Sequence, residues 1–175
     1  MQKKYYRNVW ALGPSNTGYP GAFPGGLIPM IKKKWWGQKR LWLFSGKFKD
    51  SSGITVDIKK ELKPLVIANC ENLPFKSNSL DFVMADPPYS KEESMKLYDL
   101  PYVNVIKTIN EMIRVCKPGG YILFLHRLVP QVFPGLRLSK DTNCMAVIGI
   151  FTISGMSNIR ALSVYRKKNT LEEFI

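Results

Sequence analysis

The sequence predicts an open α/β sheet that is mostly parallel, ends in an antiparallel C-terminal hairpin and has few helices on one face. Three observations indicate this fold class: short apolar segments typical of buried parallel strands, one amphipathic helical segment, and two β-rich segments near the end of the chain. The chain has 175 residues, of which 45% are hydrophobic, enough to build one core. We therefore expect one domain over residues 1–175, with a basic N-terminal segment and first helix in residues 1–40 and the sheet core in residues 41–168.

The strands are predicted from nearly continuous apolar runs, which suit a sheet that is buried on both faces. Five such runs are Leu41–Phe44, Ile54–Asp57, Leu65–Ala68, Leu80–Ala85 and Tyr121–Leu125. The last two strands, Cys144–Ile153 and Ile159–Arg166, are separated by the turn-forming residues 154–158 and should form the closing hairpin. One crossover helix is expected over Pro101–Cys116, where apolar residues recur at i, i+3 and i+4.

Two connections in the front half are too short for crossover helices. Only about eight residues separate Gly46 from Thr55, and the connection from Asp57 to Leu65 is as short. One face of the sheet therefore lacks its usual helices. We expect it to be covered by a helix at Gly25–Trp36, by the N-terminal loop or by a second subunit.

The chain carries an excess of positive charge, with 26 Lys and Arg against 13 Asp and Glu, a formal net charge of +13. This excess indicates a polyanionic partner, either a nucleic acid or an anionic membrane surface. No apolar run is long enough to cross a bilayer, and the first residues lack the apolar region of a secretory signal, so a cytoplasmic location is expected. The three scattered cysteines predict neither a disulfide framework nor a metal site.

The most informative motif is Asp86-Pro87-Pro88-Tyr89, which directly follows a predicted buried strand. Open α/β sheets bind ligands at this carboxyl edge. Asp86 supplies an acceptor carboxylate, the prolines stiffen the turn and leave carbonyl oxygens free, and Tyr89 offers a ring on which a base can stack. Together these groups suit the exocyclic amine of a flipped base. The alternative is an ordinary Pro-Pro turn followed by a core tyrosine.

The wider context resembles the Rossmann-like class I S-adenosylmethionine-dependent methyltransferases, and Asp86–Tyr89 resembles the catalytic motif of their adenine-N6 DNA methyltransferases. The similarity runs from about Gly21 to Arg166. It implies S-adenosylmethionine as the cofactor and catalytic roles for Asp86, Pro87, Pro88 and Tyr89. Asp86 would also lie beside the cofactor.

The same resemblance implies a set of cofactor contacts. Asp57, at the end of the second core strand, would bind the ribose hydroxyls, and Asn69 occupies the place of an Asp that contacts the adenine. The implied set is Phe23, Pro24, Phe44, Ser45, Gly46, Asp57, Asn69, Cys70 and Asp86. The segment Leu41–Gly46 matches the first cofactor motif, but its further glycines are missing and Lys47 follows.

A basic, tryptophan-containing segment is the predicted nucleic-acid contact. Its residues are Lys32, Lys33, Lys34, Lys39 and Arg40, next to Trp35 and Trp36, and the overall charge favours phosphate binding. A solvated basic helix face with its tryptophans turned inward is the alternative. His126 ends a strand at the ligand-binding edge, where a structural role is favoured over a substrate contact.

The predicted activity is methyl transfer from S-adenosylmethionine to adenine N6 in DNA. RNA adenine-N6 methylation, DNA cytosine-N4 methylation and a non-catalytic nucleic-acid-binding subunit with the same fold remain open. The intervals after Tyr89 and after His126 are too short for a separate target-recognition domain. We therefore expect low or short sequence specificity or a recognition partner, and a homodimer would cover the bare sheet face.

Overall fold

A computed structural model of the chain describes residues 6–15, 17–19, 22–130, 138–152 and 159–169. Within them an eight-stranded sheet has the order β1-β7-β8-β6-β5-β2-β3-β4. Its strands are β1 Tyr6–Leu12, β2 Arg40–Leu43, β3 Ile54–Asp57, β4 Val66–Ile67, β5 Leu80–Ala85, β6 Cys116–His126, β7 Thr142–Thr152 and β8 Arg160–Lys167. The helices are α1 Leu27–Lys32, α2 Lys91–Tyr98, α3 Val105–Val115 and α4 Leu138–Asp141, with a 3₁₀ turn at Lys60–Leu62.

Strand direction determines which residues meet at each edge. Of the described strands, β8 alone runs antiparallel, pairing with β6 on one side and β7 on the other. The remaining strand pairs are parallel. The carboxyl ends of seven strands and the first residue of β8 therefore share one edge, called here the carboxyl edge; the other is the amino edge. The predicted mostly parallel sheet with an antiparallel C-terminal hairpin is confirmed.

Several elements differ from the sequence prediction: helix α4 was not predicted, strand β6 begins at Cys116 rather than Tyr121, and three further differences concern β1, α2 and α3. Strand β1 was not predicted, because only its second half alternates between exposed and buried residues. Helix α2 was also missed; it begins after Ser90, whose hydroxyl caps the helix by accepting from the Glu93 N–H. Helix α3 begins at Val105 rather than Pro101, because the Asn104 side chain caps it by accepting from the Lys107 N–H.

The two short connections contain no crossover helix, as predicted, and the sheet face they leave bare is covered from the N-terminal part of the chain. Helix α1 and strand β1 place Leu27, Ile31 and Trp10 in a core cluster with Trp42 and Phe82 of the sheet. The Trp42 ring is fully buried. Of the three covers considered from the sequence, the first helix takes this place, together with Phe23 of the loop that precedes it. Helix α3 packs in the separate core of the opposite face.

Asp50 ties strand β2 to the loop that follows it. Its Oδ2 accepts from Arg40 Nε at 2.8 Å and from Trp42 Nε1 at 2.9 Å. Hydrogen bonds from the Arg40 guanidinium lower the pKa of Asp50 to about 2, against an opposing effect of burial. The charged form of Asp50 is therefore favoured by folding.

Replacing Asp50 with Asn should lower the free energy of unfolding at pH 7 by roughly 3 kcal/mol, because a buried guanidinium loses its counter-charge. A carboxylate with a lowered pKa contributes stability above its unfolded pKa and loses it as the pH falls through the folded value. The difference between wild type and variant should therefore shrink between about pH 4 and about pH 2. Urea unfolding across this pH range measures it. Asp99→Asn, at an exposed helix end, is the control, and an equal loss in both variants would contradict the assignment.

Candidate active site

The Asp86-Pro87-Pro88-Tyr89 motif lies at the carboxyl edge, directly after β5. Asp86 is 6% exposed, and its Oδ1 accepts a hydrogen bond from the Tyr89 hydroxyl at 2.7 Å. Pro87 is buried, and Pro88 is partly buried. The Tyr89 side chain is thus directed back toward Asp86, the first residue of the motif, and its hydroxyl donates to the Asp86 carboxylate.

Helix α2 and strand β6 hold Tyr89 in place. The Tyr89 N–H donates to Glu93 Oε2 at 2.7 Å, which fixes the turn to the first turn of α2. On the ring, His126 makes an edge contact with centroids 5.2 Å apart, and the Arg127 guanidinium lies 5.1 Å from the ring centre. A base that stacks on Tyr89 must therefore use the face away from Arg127 or displace that side chain.

Burial dominates the electrostatics of Asp86. It raises the pKa of this carboxyl to about 7, although the Tyr89 hydrogen bond and the Arg160 charge lower it. Asp86 Oδ2 is buried and has no hydrogen-bond partner among the described residues. A buried acceptor without a partner is uncommon in folded proteins and marks a place where a ligand donor can bind. Burial also raises the pKa of the Tyr89 hydroxyl, so this group is a neutral donor.

Arg160, the first residue of β8, is a site residue that the sequence analysis missed. Its Nη1 donates to the Tyr89 hydroxyl at 3.2 Å and lies 3.9 Å from Asp86 Oδ2. Its Nη2 donates to Thr152 Oγ1 at 2.9 Å. The predicted hairpin already placed the start of the last strand at the carboxyl edge, but only the pairing of β8 with β6 brings Arg160 opposite the motif.

A cavity opens beside Asp86, between the carboxyl ends of the central strands and helix α2. It contains about 750 Å³ of space outside the protein atoms, its open mouth included. Five of the predicted cofactor residues line it: Phe44, Gly46, Asp57, Asn69 and Asp86. The lining also includes residues that the sequence analysis did not single out, chiefly Tyr19, Glu71, Tyr98 and Tyr102.

Asp57 and Gly46 line this cavity and are hydrogen-bonded to each other. Asp57 Oδ2 accepts from the Gly46 N–H at 2.9 Å, and its Oδ1 accepts from the Lys59 N–H at 3.0 Å. Gly46 has a φ of 53°, and a Cβ at this position would lie 2.9 Å from the Tyr19 ring. The left-handed backbone therefore favours a glycine at position 46, and a side chain there would have to displace the Tyr19 ring.

Asn69 differs from its sequence-based interpretation in one detail. Its Oδ1 already accepts from the Glu71 N–H at 2.9 Å, which stabilises a local turn. Its amide NH₂ adds a donor that an Asp at this position would not have.

The other predicted cofactor residues do not line the cavity. The Phe23 ring packs on Trp42 and Phe48, with centroids 5.8 and 5.3 Å away. Pro24 leads into α1, where its carbonyl accepts from the Leu27 N–H. Ser45 and Cys70 are buried, and burial raises the pKa of the Cys70 thiol to about 12.

The predicted nucleic-acid contacts require correction. Arg40 is 7% exposed and is held by Asp50, so it is a structural residue. His126 is also buried. Its Nδ1 accepts from the Leu128 N–H at 3.0 Å and its ring stacks on Phe124, which agrees with a structural role. Burial lowers the pKa of His126, which favours a neutral imidazole.

The exposed lysines of the predicted patch lie away from Asp86. Lys32 is the last residue of α1, Lys33 and Lys34 follow it, and Lys39 precedes β2, so all four are at the amino edge of the sheet. Trp35 is buried and Trp36 partly buried, which agrees with the alternative of inward-facing tryptophans. The exposed cations next to Tyr89 are instead Arg127 and Lys91.

Comparison with known proteins identifies the fold. Residues 53–124 match the family model described as a methyltransferase domain. Similar solved structures include TrmN from Thermus thermophilus, with a TM-score of 0.56 and 15% identity over 80% of this chain and 47% of that chain. A second is the N-methyltransferase NodS from Bradyrhizobium japonicum WM9, with a TM-score of 0.54 and 10% identity over 81% and 92% of the two chains.

A third similar structure is a SAM-dependent methyltransferase from Methanosarcina mazei, with a TM-score of 0.54 and 15% identity over 80% of this chain and 97% of that chain. The chain spans about half the length of the TrmN structure. A search of curated proteins finds no match. The chain has the fold of class I S-adenosylmethionine-dependent methyltransferases, and the matched domain implies S-adenosylmethionine as the cofactor.

The described residues fit this cofactor. The cavity lining includes an acidic residue at the end of β3, Asp57, and the buried carboxylate of Asp86. Within the described ranges, no helix is both long and apolar enough for a membrane span. The same ranges contain no cluster of His, Cys, Asp or Glu suited to hold a metal ion.

Gly46→Ala should weaken S-adenosylmethionine binding roughly tenfold, because an alanine in the left-handed region costs about 1–2 kcal/mol and its Cβ would displace the Tyr19 ring. Isothermal titration with the cofactor measures the effect. Gly13→Ala is the matched control, since nothing lies within 4 Å of a Cβ at that position. Equal affinity in wild type and Gly46→Ala would contradict the placement of the cofactor over this loop.

Proposed function

We propose that this protein transfers a methyl group from S-adenosylmethionine to the N6 amine of adenine in DNA. The observation that carries the proposal is the buried Asp86 carboxylate, which lines the cavity and has one oxygen, Oδ2, without a hydrogen-bond partner among the described residues. The amine of a flipped base supplies the donor that this oxygen lacks.

The cofactor supplies an electrophilic methyl group bound to a sulfonium. Asp57, in the cavity lining, would hold the ribose hydroxyls, and the Asn69 amide would contact the adenine edge. Asp86 and Pro88 line the same cavity, so the site for the transferred group adjoins the Asp-Pro-Pro-Tyr turn.

The amine of adenine is a poor nucleophile because its lone pair is conjugated with the ring. Asp86 Oδ2 and the Pro87 carbonyl would accept its two hydrogens, which turns the nitrogen toward tetrahedral geometry and localises the lone pair for attack on the methyl carbon. The nitrogen must then lose one proton. Asp86 can take it up, because a carboxyl with a pKa of about 7 exchanges protons readily near neutral pH.

The Asp of the motif favours adenine over cytosine, DNA is proposed because the motif resembles that of adenine-N6 DNA methyltransferases, and the net charge of +13 supports a nucleic acid of either kind. RNA adenine-N6 and DNA cytosine-N4 methylation use the same amine-holding groups and remain the alternatives. A non-catalytic subunit would not need a buried unpaired carboxylate oxygen. The partner expectations, a homodimer or a separate recognition protein, stay part of this proposal.

Asp86→Asn should reduce methyl transfer at least 100-fold, because the amide loses one acceptor and cannot take up a proton. Transfer of a tritiated methyl group to unmethylated DNA, followed by analysis of the nucleosides, measures both rate and product. RNA is assayed in parallel, and Asp99→Asn serves as the control. Label in N6-methyladenine that persists at wild-type rate in Asp86→Asn would refute the role of Asp86. Label in N4-methylcytosine or only in RNA would refute the proposed substrate.

The position of the cations predicts where DNA phosphates bind. The double variant Lys91→Ala with Arg127→Ala should raise the KM for DNA roughly tenfold, since each phosphate contact contributes to affinity through counterion release. Lys33→Ala with Lys39→Ala removes the same charge from the amino edge and should change KM less than threefold. The steady-state assay at fixed salt compares the two. A larger effect of the amino-edge pair would show that DNA binds across that edge instead.

A further inference from the structure

We infer that Arg160 is a positioning residue that favours the charged form of Asp86 and holds the Tyr89 hydroxyl on Oδ1, leaving Oδ2 for the substrate amine. The inference rests on the proposed function, in which Asp86 accepts hydrogens from that amine. It assigns a role to a residue of the C-terminal hairpin that the Asp-Pro-Pro-Tyr motif itself does not contain.

The position of Arg160 follows from the register of β8. Arg160 pairs with Ile150 of β7, and the next residue, Ala161, pairs with His126 of β6. The first residue of β8 therefore lies over the carboxyl edge, beside the end of β6. Thr152 of β7 accepts from Arg160 Nη2 at 2.9 Å and so fixes the orientation of the guanidinium.

The contacts of Arg160 differ from those of a simple ion pair. Nη1 is within hydrogen-bond distance of the Tyr89 oxygen, at 3.2 Å, but is 3.9 Å from Asp86 Oδ2. Arg160 thus acts on Asp86 by its charge without occupying the second carboxylate oxygen. The side chains of Arg160 and Asp86 are 14% and 2% exposed, so water screens this interaction weakly.

The other charged groups near the motif do not replace Arg160. Glu93 accepts from the Tyr89 N–H and is a second negative charge that disfavours ionisation of Asp86. Arg127 lies over the Tyr89 ring, with its Nη2 3.9 Å from Glu93 Oε1, and is 45% exposed. His126 is buried, and its pKa is lowered. Among the described residues, Arg160 is the cation that lowers the pKa of Asp86.

The charge state matters because of the chemistry of the acceptor. A carboxylate has two acceptor oxygens, whereas a carboxylic acid carries a proton and becomes a donor at one of them. A protonated Asp86 would present that proton to an amine that has to donate. Arg160 opposes the effect of burial and so keeps a fraction of the enzyme in the form that can accept.

The test is a titration of Asp86 by ¹³C NMR of the side-chain carboxyl, in the free protein. In wild type the midpoint should lie at about 7, and in Arg160→Met it should rise by roughly one unit, the effect expected on loss of a nearby opposite charge. Arg160→Lys keeps the charge and should stay close to wild type. Arg166→Met removes an exposed arginine from the far end of β8 and should change nothing. The inference is wrong if Arg160→Met leaves the midpoint unchanged.

Methyl transfer gives a second readout. A midpoint raised by one unit should slow Arg160→Met roughly fivefold at pH 7 and leave it near the wild-type rate at pH 9, where Asp86 is ionised in both proteins. An equal loss at all pH values would show a merely structural role and overturn the inference. Absence of transfer by the wild type would refute the proposed function, while the NMR titration would still report whether Arg160 controls the charge of Asp86.

Discussion

The arrangement of the carboxyl edge depends on one constraint: the Asp86 carboxyl is buried with too few partners to stabilise its charge fully. Water would stabilise the charge of Asp86, but the folded chain shields this side chain from water. In place of water, the Tyr89 hydroxyl donates a hydrogen bond and the Arg160 guanidinium lies 3.9 Å away. These groups offset only part of the loss, so the pKa of Asp86 stays near 7. Full pairing by a bidentate arginine would stabilise the charge better, but it would occupy the oxygen that a ligand needs. The incomplete pairing therefore favours binding and chemistry over stability.

The hairpin at the end of the chain is what makes this arrangement available. In a sheet of parallel strands only carboxyl ends meet at the ligand-binding edge, so each strand contributes the residues that follow it. Because β8 is antiparallel, it contributes its first residue instead. Arg160 thereby reaches a buried motif from a rigid strand rather than from a loop, which limits the conformations its long side chain can adopt.

The sequence predicted the sheet well because its central strands are short, apolar and separated by clear turns. It predicted Asp86 at the carboxyl edge because this residue follows a strand, and the family resemblance implied Asp57 and Gly46, which line the same cavity. It could not predict Arg160 or Tyr19, whose contacts depend on segments more than 25 residues away in the chain. The prediction of Arg40 as a nucleic-acid contact was wrong, because the sequence does not show whether a cation near tryptophans faces solvent or pairs with a buried acid such as Asp50. The nucleic-acid contact predicted for the lysine patch stays a prediction, because charge counting does not indicate at which edge of the sheet a lysine lies.

Tyr19 packs on the loop that follows β2, which is proposed to contact the cofactor and has few glycines. A glycine-rich loop normally lets the backbone approach a ligand closely at several points. Here one glycine, Gly46, adopts a positive φ, and the preceding Phe44 is also in the left-handed region at 54°. The Tyr19 ring packs on Gly46 and lies 6.4 Å from the ring of Tyr98, across the cavity lining. Tyr19 of the N-terminal segment and Tyr98 of α2 thus line the cavity with aromatic rings, where a glycine-rich loop would line it with backbone atoms. The cavity therefore depends on packing between segments that are distant in sequence.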